Sequence, residues 1–223
     1  MTAISTKGIV IELLNGSASG DALDISAISA ANPPVIDLTT PLGAAPNVGD
    51  VVVFGSNTGF EELNGKSFLV GSDVTPTASQ FSLAGIDLSS STGAVGGSIT
   101  ATLYGSADFV SLCLSQLDIG ESTTQSISTA TFCDTASSVG GNPQLGNITI
   151  GGYVDPNDSG YQEVLAAEMD GANRVFKVRF PQDYGYLVGI VTVGSVSWQA
   201  PLEGGIAWTA TMNQNTQIRY VNP

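Results

Sequence analysis

Residues Ile148–Phe180 read ITIGGYVDPNDSGYQEVLAAEMDGANRVFKVRF. The first residues form a short β-type run that ends in glycines. Ser159–Asp170 then predicts a helix. Tyr161, Val164, Leu165 and Met169 fall at i, i+3, i+4 and i+8, one apolar stripe expected to pack the helix onto a sheet. Asp158 or Ser159 can cap its start, with Gln162 placed for a capping box from Ser159. Gly171 can take the left-handed position just past its end. Beyond it, Val175–Pro181 reads as a strand. Period-2 alternation puts Phe176, Val178 and Phe180 on one face and Lys177 and Arg179 on the other. The stretch is therefore strand, turn, helix, strand, with the helix covering a face or edge of a sheet.

Outward from it the chain is almost wholly β. Short runs rich in Val, Ile, Thr and Phe alternate with Gly, Asn, Asp and Pro clusters. Strands are expected at Gly8–Leu14, Ala22–Ala30, Val35–Thr39, Val51–Gly55, Lys66–Ser72, Gln80–Ala84, Ser98–Tyr104, Val110–Leu117, Gln125–Ala130, Gln144–Gly151, Tyr186–Val196, Ile206–Met212 and Ile218–Val221. Asn64-Gly65 supplies the positive φ angles of a tight turn, and Gly140–Gly146 (GGNPQLG) reads as a turn. The expected fold class is all-β with one flanking α-helix, built as a sandwich or barrel. Gly8–Leu14 is a strand isolated before a Gly/Ser linker, so it is expected to pair across an insertion. That predicts a discontinuous domain, 1–20 with 105–223, and an inserted domain, 21–104.

Composition excludes several chemistries. The 223 residues include no histidine, and 20 acidic residues face 6 basic ones, for a net charge of −14. Without histidine there is no Ser-His-Asp or Cys-His nucleophile and no His-ligated metal. A broadly acidic chain is poorly suited to gripping phosphates. No G-x-S-x-G or S-x-x-K motif occurs. Asp155–Gly160 (DPNDSG) resembles the start of a calcium loop, but the twelfth position is Ala166, which offers no carboxylate. No catalytic residue, metal or cofactor is expected. A carboxylate pair for glycoside hydrolysis is the remaining enzymatic reading.

The first twenty residues carry a lone Lys7 and an apolar run broken by Glu12, so no signal-peptide core is expected. No apolar run approaches a membrane span. The chain is expected to be soluble and made in the cytoplasm. Cys113 and Cys133 would form a disulfide only if they faced each other on neighbouring strands; the reading adopted is two small, buried, reduced side chains. Trp198 and Trp208 read as core or interface anchors, or alternatively as stacking platforms for sugar in an adhesin or carbohydrate-binding module. Arg174, Lys177 and Arg179 form a basic cluster, read either as partners for acids of a neighbouring subunit or as a solvated face.

The order of elements in Ile148–Phe180, followed by Gly189-Ile190-Val191 and a Trp/Thr-rich strand, resembles the tail tube (major tail) proteins of long-tailed, non-contractile bacteriophages. Ser126–Asp134 (SISTATFCD) and the first strand (STKGIVIELL from Ser5) extend the likeness. Within the insert, Ala31-Asn32-Pro33, Val48–Val52 (VGDVV), Glu62–Lys66 (ELNGK) and Phe81-Ser82-Leu83 resemble the small β-barrel module first named in ubiquitin-activating enzymes, the FCCH-like domain. The doubled Pro33-Pro34 and the loop Pro41–Asn47 depart from that module's pattern.

The resemblance implies a β-sandwich with a flanking helix, whose strands close into one barrel around a lumen in hexameric rings. The rings would stack into a tube in the virion tail. Implied partners are other copies of the chain, a tape measure protein, and tail terminator and tail tip proteins. Double-stranded DNA would pass through without specific binding. On this reading the lumen is lined from strands near Val110–Ala130 and Val175–Val196, with Asp118, Glu121 and Asp183 as candidate acids. Arg174, Lys177, Arg179, Trp198 and Trp208 are the candidate inter-subunit residues. An acidic lining would repel DNA over about one Debye length, ~8 Å at physiological salt. The insert carries 8 acids and one base and the remainder 12 acids and 5 bases, a net −7 each. Only part of the acidity can therefore face a lumen.

Overall fold

The computed structural model describes residues 8–56, 58–93, 99–120, 123–129, 137–181, 184–201 and 204–222, with the backbone alone for 123–129 and 137–144. The strands in chain order begin with β1 (Val10–Leu14), β2 (Asp21–Ile28), β3 (Val35–Leu38), β4 (Val51–Phe54), β5 (Ser67–Val70), β6 (Gln80–Ala84) and β7 (Thr100–Tyr104). Next come β8 (Phe109–Ser111), β9 (Gln116–Ile119), β10 (Thr123–Thr129), β11 (Ser137–Gln144) and β12 (Asn147–Tyr153). The helix α1 (Ser159–Asp170) precedes β13 (Asn173–Arg179), β14 (Tyr186–Gln199), β15 (Ala207–Gln214) and β16 (Arg219–Val221).

β2 to β7 close into a six-stranded barrel in the order β2-β3-β6-β5-β4-β7. Alternation makes it close. Val52 and Phe54, Phe68 and Val70, and Phe81 and Leu83 point inward with Ile36, Phe60 and Leu63 into a core that excludes water. Each such side chain contributes about 1.5–3 kcal/mol relative to exposure. The outward residues Val51, Leu69 and Ala84 are also buried, because they pack on the rest of the chain.

Eight of the other strands form one continuous sheet, β8-β1-β13-β14-β15-β12-β9, with β16 beside β14. This differs from a sandwich of two separate sheets. The cause is β14, whose 14 residues pair β13 and β16 through the first half and β15 through the second. The β13 ladder ends at Thr192, and a bulge between Val193 and Ser195 follows within the β15 ladder. β1 pairs β13 and β8, so the first strand does find its partners beyond the barrel strands. Leu13, Phe176, Val178, Val191, Ile148, Ile150, Ala210 and Met212 meet Tyr161, Val164 and Ala167 of α1 in one core. A second seam joins sheet to barrel, with Val175, Val188 and Val221 against Val51, Leu69 and Ala84.

Asp158 caps α1 by accepting the Gly160 N–H at 3.0 Å, and Gly171 ends it at φ 60°. The buried side of the helix differs from the expected stripe. It runs through Gly160, Tyr161, Glu163, Val164 and Ala167. Leu165 is half-buried against the core, and Met169 is 87% exposed. The reason is close approach: a Cβ on Gly160 would lie 2.5 Å from the Ser111 carbonyl oxygen. Small residues set the contact line, and at about 100° per residue Met169 then faces away from it.

Two elements depart from expectation in extent. Val110–Leu117 is not one strand but β8 and β9 with a break between them. The stretch read as a turn, Gly140–Gly146, is largely strand: β11 runs Ser137–Gln144 and pairs β10 in a two-stranded sheet of its own.

Candidate functional site

The sheet presents one polar face. On β9, β12, β15 and the second half of β14, the apolar residues point to the helix-side core. Their alternates point the other way. Register aligns them in rows across four strands. Asp118, Thr149, Thr211 and Ser195 form one row, and Gln116, Gly151, Thr209 and Ser197 the next. A further row joins Asn147, Asn213 and Thr192. Asn215 Nδ2 donates to Asn173 Oδ1 (2.7 Å) and Thr192 Oγ1 (2.6 Å), which ties the end of this face together. In these rows hydroxyls and amides surround a single charge, Asp118, which is exposed on the edge strand β9. Of the other candidate lumen acids, Glu121 and Asp183 lie outside the described residues, as does Cys133.

Of the second region expected to line a lumen, β14 supplies Thr192 and Ser195 to this face, whereas β13 is placed differently. β13 is buried on both faces from Arg174 to Val178. Phe176 and Val178 enter the helix-side core, and Val175 meets the barrel. The barrel's packing on this part of the sheet removes it from any open surface.

The basic cluster separates into three environments. Arg174 is 4% exposed and Glu163 9%. Arg174 Nε donates to Glu163 Oε1 at 2.9 Å, and Arg174 Nη2 to Asp170 Oδ2. Burial alone would lower the Arg174 pKa, but the hydrogen bonds to Asp170 and Glu163 outweigh it and the net shift is upward. A bond from the Ala172 N–H, and then the one from Arg174, hold the Asp170 carboxyl below its ordinary range. Lys177 is 4% exposed; its Nζ lies 3.0 Å from Glu12 Oε2 and 4.2 Å from the Phe109 ring centroid. Arg174 and Lys177, expected at a contact between copies, are instead paired inside the chain, because β13 lies between helix and barrel. Arg179, at the end of the strand, is exposed.

The tryptophans also diverge. They are direct cross-strand partners. Trp208 is buried in the core, donates to the Tyr153 carbonyl at 3.1 Å and packs on Tyr161 at 5.5 Å. Trp198 is 55% exposed, with its N–H donated to the Tyr161 hydroxyl at 2.8 Å. The buried indole cannot share a flat, solvent-facing platform with Trp198, so the two do not form a joint sugar-stacking surface.

Two residues that sequence reasoning did not single out join sheet to barrel. Arg219 of β16 lies over the Phe68 ring at 4.3 Å, donates to the Ser67 carbonyl at 3.1 Å, and has its pKa lowered by burial. Asp50 of the barrel is 6% exposed and accepts the Asn47 N–H at 2.7 Å. Burial raises the Asp50 pKa, outweighing the Asn47 bond and the charge of Lys177, which both lower it. No local sequence signal marks either contact. Cys113 is exposed rather than buried, since it falls in the break between β8 and β9.

Among the described residues no cluster of three or more Cys, Asp or Glu side chains is arranged to hold a metal ion. No helix there is long and apolar enough to cross a membrane.

The chain matches no protein-family model and no curated protein. One similar solved structure is described as "Tail of empty GTA particle computed with helical refinement, C6 symmetry". The identity is 17% and the TM-score 0.41, over 52% of this chain and 87% of that one.

Proposed function

We propose that this chain is a structural subunit of a phage tail tube, of the long, non-contractile kind, in which hexameric rings stack around a conduit for double-stranded DNA. In this reading 1–20 with 105–223 build the tube wall, and 21–104 is an inserted FCCH-like module carried outside it. The polar face with Asp118 lines the lumen. The wall is then mostly neutral hydroxyl and amide, with one described carboxylate per subunit. Such a wall keeps its own hydration and offers no cation to hold a phosphate.

The observation that carries the reading is the state of the sheet's boundaries. Among the described residues, the terminal strands β8 and β9 each pair with one strand, and β10 and β11 pair only with each other. A free edge is a template for another strand, and an isolated two-stranded hairpin is marginal in water. Both are explained if edges meet edges around a ring, a heterologous contact closed by rotation. Tape measure, terminator and tip proteins would be the further partners, and the virion tail the destination after assembly in the host cytoplasm.

Sedimentation velocity and negative-stain microscopy of the purified chain over a range of concentrations test this. Rings or hollow tubes are the expected products. A chain that remains monomeric throughout contradicts the proposal.

A further inference from the structure

Few cations are available in this acidic chain, and most of those described are already engaged. Arg174 and Lys177 are buried in ion pairs. Arg219 is half-buried against Phe68 and Ser67. Lys66, on the barrel, donates to the Glu62 carbonyl at 3.0 Å. Arg179 is exposed and makes no ion pair among the described residues. It borders a crevice of about 190 Å³ with Asn47, Ser106, Tyr186, the buried Asp50 and the Glu12–Lys177 pair. Its strand partner is Tyr186, the first residue of β14.

The far end of β14 differs. Gln199 pairs Ala207, which pairs Tyr153. Tyr153 is 67% exposed and forms one wall of a cavity of about 480 Å³, with Leu114, Ser115, Asp155 and Asp158 around it. Asp155 Oδ1 accepts the Asn157 N–H and Asp158 Oδ1 the Gly160 N–H. The second oxygen of each carboxylate accepts no hydrogen bond among the described residues. An aromatic wall beside carboxylates suits a guanidinium, which stacks on the ring while its N–H groups fork onto the acid.

We infer that Arg179 of one copy enters the Tyr153–Asp155–Asp158 cavity of the next. The two sites lie at opposite ends of a strand roughly 40 Å long at about 3.3 Å per residue, so one copy cannot satisfy itself. The contact is head-to-tail, and repeating it propagates an assembly. The inference rests on the tube reading and adds to it the residues that join successive copies.

Charge reversal tests it, with sedimentation velocity and negative-stain microscopy at about 0.1 M salt, where screening leaves a contact pair intact. Arg179→Asp and Asp155→Arg each lower the assembled fraction at least tenfold, and the double variant restores it. Both residues are exposed, and circular dichroism with a thermal melt checks that each variant folds. Arg179→Ala and Asp155→Ala serve as milder substitutions with the same expected direction. Single variants that assemble like the parent, or a double variant without recovery, overturn the pairing and leave the tube reading standing. A parent chain that stays monomeric overturns both.

Discussion

Glu163 Oε1 receives both the Arg174 Nε–H and the Gly16 N–H, each at 2.9 Å, so a single carboxylate oxygen joins the helix, β13 and the loop after β1. The guanidinium fills the space a side chain at position 16 would need, since a Cβ on Gly16 would collide with it. Removing one partner of a buried pair strands the other charge. Glu163→Ala is expected to cost about 3 kcal/mol in urea unfolding, because Asp170 still faces the arginine. Glu163→Leu with Arg174→Met should recover most of the loss. A double variant no better than the single one would mean that shape, not charge, holds this junction.

Asp50 makes the sheet–barrel seam sensitive to pH. Its folded pKa is raised by burial. For such a carboxyl the stabilising contribution is complete below the unfolded pKa and is lost as pH rises through the folded one. Asp50→Asn keeps an acceptor for the Asn47 N–H without the charge. It should melt above the parent at pH 7, and the gap should close as pH falls below the ordinary carboxylate range. A gap that does not change with pH argues against this account.

The two ends of the helix stripe separate cleanly. Val164 is 0% exposed and Met169 is 87% exposed. Val164→Ala should cost about 2 kcal/mol through lost burial and a residual cavity. Met169→Ala should change stability by no more than about 0.5 kcal/mol. Chemical denaturation of both reads this directly, and equal costs would place the helix on the wrong face.

The helix was legible in the sequence because its signals are local: a cap at Asp158, a left-handed Gly171 and an apolar stripe between them. Its rotation was not, because Gly160 and Ala167 contact the sheet by being small, and hydrophobic periodicity does not score smallness. β11 escaped for a related reason. Gly140-Gly141-Asn142-Pro143 has little strand propensity, and only its ladder with β10 makes it one. The pairing of Lys177 with Glu12 joins residues far apart in the chain, so only the fold reveals that this cation is spent. The polar face was half-visible. Alternation showed which residues of a strand share a side, but register alone sets Asp118 beside Thr149 and Thr211.

Trp208 and Trp198 should respond differently despite facing each other across β14 and β15. Trp208→Ala is expected to cost about 3–5 kcal/mol, since the indole fills the core and its N–H serves the Tyr153 carbonyl. Trp198→Phe loses one hydrogen bond to Tyr161, worth about 1 kcal/mol. Thermal or urea unfolding of the two variants distinguishes them. Similar losses would contradict the burial difference.

If the polar face is the wall of a conduit, its residues surround the axis of the assembled particle. Cryo-electron microscopy of the assembled particle, at a resolution that traces strands, measures it directly. Sixfold rings are expected, with the row Asp118, Thr149, Thr211 and Ser195 facing the axis and the barrel strands on the outside. A tube with that row on its outer surface, or with the barrel strands around the axis, would contradict this.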